Sequence, residues 1–500
     1  MPESSMPDTS STEVKYPVTT RAFGLAIIVL SGLQLMVVLD GTVANLALAP
    51  LQADLGLSDA GRNWVLTSYA LAFGGLMLLG GRLGDAFGRK KMFLAGVVLF
   101  TVASLLCGLA VNEATLVAAR ALQGIGAAVA SPTAFALVAT TFAPGPVRNQ
   151  AIAIYAAMTG VGSIAGLIIG GALTEVSWRW IFLINVPIGV VIVVLAVVSL
   201  QETVGARLPL DVPGAILATL GCTGVVLALS EGTELGWTNP IVIVSLLAGL
   251  LFLGLFLMVE RRADNPLLPF SLFGSRDRVA TFVAIFFAGG VMFCLAAYVA
   301  LFVQDILGYS PLHAGLAFVP FAFGLGAAAF LASQLVTRIA PRWLILSGAV
   351  IMVGWLMVSV ATMNADSSYF PGLFFPVIGI GFGVGLTVVP LPLCAIAGVS
   401  PTEIGPLTAI ALVAQTLGGP LALAVIGALV TSRTLSLGGI SGPATLMNDT
   451  QLDALSSGYM FALFCCAVCA VVAGIAAVFI RFTPQQVAQA QAAQENAQKG

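Results

Sequence analysis

The feature that most confines this chain is its supply of apolar runs long enough to cross a bilayer. A helix rises about 1.5 Å per residue, so about 20 mostly apolar residues span a hydrocarbon core about 30 Å thick. That ruler predicts fourteen spanning helices, at 22–49, 63–81, 92–111, 114–142, 150–173, 180–200, 212–230, 240–259, 280–303, 313–337, 343–363, 370–398, 406–431 and 458–480. In lipid every backbone N–H and C=O must be satisfied within the chain, which a helix does by itself. The expected class is an all-α membrane protein. The chain is 59% hydrophobic and 8% charged, against about 25% charged in soluble domains. Too few charges exist to clothe a water-facing surface.

The connections are mostly short. Only 260–279 and 432–457 reach about twenty residues, too few for a further domain. The first twenty residues are polar, rich in Ser, Thr and Pro, and read as a disordered tail. The run from Ala22 to Leu39 exceeds the apolar part of a signal peptide, about 7–15 residues. Ala47-Leu48-Ala49 resembles a cleavage site, but Pro50 follows it. The run is therefore expected to be kept as a helix.

Basic residues set the expected orientation. With the N-terminus in the cytoplasm, the inner segments hold sixteen of the 20 Lys and Arg, from Lys15 and Arg21 to Arg481 and Lys499. The outer segments hold Arg62, Arg179 and Arg433, and Arg120 lies within a helix. Such a bias implies an even helix count and two cytoplasmic termini.

A weak repeat divides the chain. Leu55-Gly56-Leu57-Ser58 with Ala60-Gly61 returns as Leu307-Gly308-Tyr309-Ser310 with Ala314-Gly315, each followed by one helix and a basic turn. The pattern suggests two six-helix bundles with an extra helix pair between them, and repeated halves are how many transporters frame a central site. The expected units are a tail at 1–20, a bundle at 21–200, two extra helices within 201–259, a cytoplasmic linker at 260–279, a bundle at 280–481 and a tail at 482–500.

Four constellations stand out. The turn Gly81-Arg82-Leu83-Gly84-Asp85-Ala86-Phe87-Gly88-Arg89-Lys90-Lys91 packs an acid and four bases between two helices. Its glycines permit tight turning, and Asp85 can accept from bases or helix N-termini. A plain topogenic signal explains the bases but not the acid and the glycines, so Gly81, Asp85, Gly88 and Arg89 are read as a gate. Asp40 sits within the first apolar run, where a carboxylate is costly and its protonation switchable, so it is read as functional. Arg120, about 10 Å into its helix, cannot shed its charge and needs a partner. By depth alone Asp40 is a candidate, as coupling group or as a structural ion pair. Gly162, Gly166 and Gly170, four residues apart and followed by Gly171, give one helix face on which another helix can pack closely. Gln34, Asn45, Gln123 and Gln415 can line a cavity or hydrogen-bond between helices. Trp178-Arg179-Trp180 reads as an interfacial anchor.

Other chemistries find little support. The seven Cys lie in apolar runs, and Cys466 and Cys469, although spaced CxxC, read as packing residues. With His313 the single histidine, no metal set is expected. No GxxxxGK[ST] phosphate loop occurs, so transport would draw on an ion or solute gradient. A net charge of −2 without a basic stripe speaks against nucleic acid. No nucleophile–base pair points to an enzyme.

The turn 81–91 resembles the signature of the major facilitator superfamily, and the likeness extends over residues 21–481. Arg120 with Gln123-Gly124 resembles its helix-four motif. Leu39-Asp40-Gly41-Thr42-Val43 and Trp178-Arg179-Trp180-Ile181-Phe182-Leu183-Ile184-Asn185-Val186-Pro187-Ile188-Gly189 are similar to the fourteen-helix drug:proton antiporter branch. The glycine row resembles the antiporter motif, except that Leu167 stands where a Pro usually follows the glycine. The stretches 303–310 and 483–488 are similar to the mycobacterial efflux protein A group. The resemblance implies a major-facilitator-type fold in a bacterial inner membrane. It implies export of lipophilic or amphipathic compounds against inward proton flow, with the proton as coupling ion and no cofactor. Asp40 would couple to protons, Arg120 would assist, and Asp85 with Arg89 would brace the inner gate. A lipid translocator of the same fold and a non-transporting receptor or scaffold are the competing expectations. The oligomeric state is left open.

Overall fold

The structure is a computed structural model and describes residues 20–142, 146–202, 211–232, 235–262, 274–336, 338–364, 367–399, 401–487 and 489. The tail up to residue 19, residues 263–273 of the linker and 490–500 of the second tail lie outside the described residues, with Lys15, Arg207 and Lys499.

Among the described residues there is no strand, and fourteen helices are long and apolar enough to cross a membrane. They are α1 (Gly24–Leu46), α2 (Asp59–Phe87), α3 (Arg89–Gly108), α4 (Glu113–Val138), α5 (Ala157–Val176), α6 (Trp180–Ser199), α7 (Val212–Glu231), α8 (Pro240–Glu260), α9 (Arg276–Ile306), α10 (Pro311–Leu335), α11 (Pro341–Thr362), α12 (Phe374–Ala395), α13 (Ile410–Ser436) and α14 (Asp449–Val478). The spans run alternately between two ends, one carrying Arg62 and the other Asp85.

Local chemistry starts these helices where the chain turns back. Ser58 accepts from the Gly61 N–H, Asp211 from Gly214 and Asn239 from Ile241. Asn112 with Thr115 and Asn448 with Gln451 form reciprocal caps. Each cap satisfies N–H groups that the first turn leaves open, a contribution of about 1 kcal/mol.

Helices α1–α6 form one bundle and α9–α14 the other, with α7 and α8 as a hairpin between them. Gly221 and Gly224 of α7 let α8 approach closely at Gly249. Val226 of α7 packs with Trp64 and Leu71 of α2 and Ala424 of α13, so α7 covers a seam between the bundles. Most of α8 is exposed apolar surface, as a lipid-facing helix requires.

The cores are asymmetric along the membrane normal. At the Arg62 end one core joins both bundles, uniting Leu39, Val43 and Phe182 with Leu295, Phe302 and Leu423. At the Asp85 end the bundles keep separate cores, one around Phe93, Phe100 and Phe142 and another around Ile285, Ile345 and Leu407. Helix α5 shows the consequence: Thr159, Gly160 and Val161 are exposed in succession. Successive residues turn by about 100°, so α5 faces open space on more than one side there. The molecule is closed at the Arg62 end and parted at the Asp85 end.

Several helix limits differ from those read off the apolar runs. The first helix stops at Leu46, and a short helix, Leu48–Leu55, follows and ends at Gly56. Helix α2 begins at Asp59, which places Arg62 in a helix, 3% exposed, rather than in an outer loop. The helix containing α13 begins at Pro401 rather than at 406. Helix α14 begins at Asp449 rather than near 458. These added turns are polar, and hydropathy cannot see a helix that extends beyond the oil. Trp178 is not an interfacial anchor either. It is 4% exposed, and its Nε1 donates to Asp54 Oδ2 at 2.9 Å, beside the Arg179 Nη1 at 2.7 Å.

The Asp54 clasp yields a pH prediction. Hydrogen bonds from Arg179 and then Trp178 hold the Asp54 carboxyl below its usual 3.8. A depressed carboxylate contributes stability above its unfolded pKa and loses it as pH falls through the folded value. The wild-type melting temperature should therefore drop more steeply between pH 5 and about pH 2 than that of Asp54→Asn. Parallel melting curves for the two proteins would remove the clasp's role.

Candidate functional site

Asp40 lies six residues before the end of α1, about 9 Å inside the span. It is 2% exposed. Its Oδ2 accepts from the Arg120 Nη1 at 2.7 Å. Its Oδ1 accepts from Gln123 Nε2 at 2.7 Å and Asn185 Nδ2 at 2.9 Å. Arg120 is 1% exposed and also donates to the Val65 carbonyl at 2.9 Å and to Gln123 Oε1 at 2.7 Å. Its guanidinium lies 4.4 Å from the Tyr69 ring centroid and 5.6 Å from that of Phe182. Gln123 continues to Ser104 Oγ at 2.9 Å. One carboxylate thus gathers groups from α1, α2, α3, α4 and α6.

This geometry is a matched buried charge. Removing two ions from water costs several kcal/mol each, which attraction repays only when further hydrogen bonds complete the site. Asp40 meets three donors. Every neighbour hydrogen-bonded to it donates, so the site is built for the ionised carboxylate. One atom breaks the pattern: Asn185 Oδ1 is buried without a hydrogen-bond partner.

The glycine row faces α1. A Cβ on Gly162 would lie 3.1 Å from Val38 Cβ, on Gly166 2.9 Å from Thr42 Cβ, and on Gly170 2.7 Å from Val43 Cγ1. Gly171 points elsewhere, to the other bundle, where a Cβ would lie 2.6 Å from the Leu312 Cα of α10. The Leu167 carbonyl meets Gly315 in the same contact. One helix thus packs on its own bundle with one face and seals the Arg62 end with another.

In the turn at the other end, Arg89 Nη2 pairs with Asp85 Oδ1 at 2.7 Å, four residues apart across the α2–α3 junction. Gly88 has φ of 101°, a conformation that disfavours any side chain. Gly81 is different: an added Cβ would sit at an ordinary 3.5 Å from Pro132. Glu202 accepts from the Lys90 and Lys91 backbone N–H groups, and the Lys90 Nζ donates to the Val197 and Leu200 carbonyls. The turn is tied to the end of α6, within its own bundle.

The four amides divide. Gln123, fully buried, belongs to the Asp40 site. Asn45 donates to the Gly41 carbonyl of its own helix at 3.0 Å. Gln34 links α1 to Thr159 of α5 at 3.0 Å. Gln415 lines a cavity of about 140 Å³ among α9, α11, α12 and α13, with Met292, Met352, Leu391 and Leu412. Among the described residues no cluster of His, Cys, Asp and Glu could hold a metal.

Sequence reasoning missed two features. Asn185 is the one amide in the apolar run 180–200, a signal that was present. The second is a polar cluster bridging the bundles at the Arg62 end. Arg62 Nη1 donates to Gln52 Oε1 at 2.8 Å and to the Tyr459 hydroxyl at 3.4 Å, and it lies 3.6 Å from Asp59. The Tyr459 hydroxyl donates to Asp305 Oδ2 at 2.6 Å. Only the fold brings residues 62, 305 and 459 together.

With the geometry in hand, comparison with known proteins is informative. The model of the Major Facilitator Superfamily matches residues 30–423. The chain is 53% identical over 476 residues to the uncharacterized MFS-type transporter EfpA of Mycobacterium tuberculosis, covering 95% of this chain and 90% of that protein. It is 39% identical to the puromycin resistance protein pur8 of Streptomyces alboniger, covering 81% and 80% respectively. A bacterial homologue of the human lysosomal transporter Spinster, solved facing inward, shares the fold with a TM-score of 0.67 at 16% identity, over 93% of this chain and all of that one. Two six-helix bundles with a two-helix hairpin between them, and a family match over most of their length, identify the chain as a member of the Major Facilitator Superfamily of membrane transporters.

Proposed function

We propose that the chain exports lipophilic or amphipathic small molecules across a bacterial cell membrane by alternating access, in exchange for protons. The buried Asp40–Arg120 pair carries this reading: it is a charge match that one proton undoes, set inside the bundle that would have to move. The drug-resistance role in the name of the Streptomyces relative supports the cargo class.

The basic residues favour the Asp85 end as cytoplasmic, with Arg82, Arg89, Lys90 and Lys91 there against Arg62, Arg179 and Arg433 at the other. On that orientation the parted cores make this a state open to the cytoplasm. The cavity among α9, α11, α12 and α13 offers methionine and aliphatic walls with Thr387, Thr408 and Gln415 as polar contacts. Such a lining suits compounds with large apolar surface and little charge.

A proton arriving on Asp40 neutralises the carboxylate and strips Arg120 of its counter-ion. An unmatched buried guanidinium is costly, so the helices that hold it must rearrange. Asn185 supports this step, because rotating its amide presents the unpartnered Oδ1 to the new Asp40 hydroxyl. Each proton moving inward at 100 mV supplies about 2.3 kcal/mol. Gly171, close to Leu312, and Gly315, close to the Leu167 carbonyl, are where the bundles would separate on the outer side.

Two measurements test the reading. In inverted membrane vesicles an imposed proton gradient should drive uptake of a lipophilic dye. Asp40→Asn should abolish that uptake while the protein stays inserted, and undiminished uptake by the variant would refute the coupling role. In mixed micelles, Arg120→Gln should cost about 3–5 kcal/mol of unfolding free energy by stranding Asp40. The double variant Asp40→Asn/Arg120→Gln should cost less than the two single losses combined. Additive losses would mean that the two groups do not act as a pair.

A further inference from the structure

The polar cluster at the Arg62 end is not part of the Asp40 site. It joins Asp59, Arg62 and Gln52 from the first bundle to Asp305, Tyr459 and Tyr298 from the second. Arg62, Asp59, Gln52 and Tyr459 are all at most 5% exposed. Asp305 is half-buried. It sits in a π turn, Phe302–Ile306, that ends α9. Such turns insert one residue into a helix, re-aim its side chains and recur at functional sites.

The charges do not balance. Arg62 lies 3.6 Å from Asp59 on the same helix, and Gln52 Nε2 donates to Asp59 Oδ1 at 3.0 Å. That pair is neutral in itself and persists however the bundles move. Asp305 reaches Arg62 only through the Tyr459 hydroxyl. The closed end therefore takes in a second carboxylate with no cation of its own. The groups facing it are Arg62 and Asp59 of α2 and Tyr459 of α14. Tyr298 of α9 stands with its ring centroid 6.0 Å from that of Tyr459. His313 of the adjoining α10 is engaged with the Ser310 hydroxyl at 2.8 Å, which donates in turn to Glu175.

We propose that Asp305 is a second proton-binding site, filled from the outer side, and that its proton closes the Arg62 end. A proton on Oδ1 leaves Oδ2 free to accept from Tyr459, so the chain from Arg62 through Tyr459 to Asp305 stays intact while the excess negative charge is removed. When the bundles part at this end, Asp305 returns to water, away from Asp59, and releases the proton to the side it came from. The closed form thus binds the proton more tightly than the open form. By linkage, acid on the outer side favours closure, by at most tenfold in the closed-to-open ratio per pH unit for one proton. This site gates; it does not carry protons across, which separates it from Asp40.

The inference rests on the alternating-access reading, and the test separates the two. Spin labels carried on noncanonical residues at positions 111 and 446, exposed sites between helices of the two bundles at this end, report its width in nanodiscs. In an Asp40→Asn chain, which lacks that carboxyl, the short-distance population should grow as pH falls. Adding Asp305→Asn should hold that population high at every pH. Tyr459→Phe should lower it throughout, because the bridging hydroxyl is gone. A pH response in Asp40→Asn that survives Asp305→Asn unchanged overturns the site, as does no response in Asp40→Asn. Unchanged distances in Tyr459→Phe overturn the bridge. A single fixed distance in every variant and at every pH would overturn alternating access and this site together.

Discussion

A guanidinium that cannot lose its proton, held out of water, must have an anion beside it. In this chain that requirement organises the first bundle. Arg120 takes Asp40 as its counter-ion, and the pair recruits Gln123, Asn185, Ser104 and the Val65 carbonyl to complete its hydrogen bonds. Five of the six helices are thereby registered against one carboxylate. Apolar packing alone tolerates sliding between helices in lipid, where tails are as apolar as leucine. A hydrogen-bonded ion pair does not. The contacts that fix the bundle thus all converge on one ionised pair.

The asymmetric cores distinguish the two ends of the molecule. Where the two bundles share a core, closure is made of close backbone contacts at Gly171 and Gly315 and of a polar chain through Arg62, Tyr459 and Asp305. Where they are parted, each bundle is self-contained, and the Asp85–Arg89 pair with Glu202 ties the turn to its own bundle. Closure at one end and separation at the other are what a rigid rocking of two bundles about a central seam requires. The α7 helix covers part of that seam, which gives the extra hairpin a packing role against both bundles.

Much of the fold was legible in the sequence, because crossing a bilayer is a one-dimensional demand. Twenty apolar residues in a row announce a span whatever their neighbours are. The spans were found, and three of the limits that failed did so where helices run on as polar turns, at Asp59, Pro401 and Asp449. Depth was also readable. Counting residues from the span ends put Asp40 and Arg120 near the same level, because rise per residue is fixed. The angular position of each side chain was not readable, and so Gln123 and Asn45 could be named but not assigned. Trp178, read as an anchor, turned inward to Asp54 for the same reason.

The sequence by itself determined the class of the molecule, the number and depth of its helices, and the need to match each charge sunk in them. Those follow from solvation, which acts on each segment separately. The tertiary structure decided which charges meet. It chose Asp40 for Arg120, added Asn185, and brought residues 62, 305 and 459 from distant spans into one cluster. It also decided which end is shut. Both depend on how helices are rotated and packed against one another, a free-energy balance spread over the whole assembly that no single segment encodes.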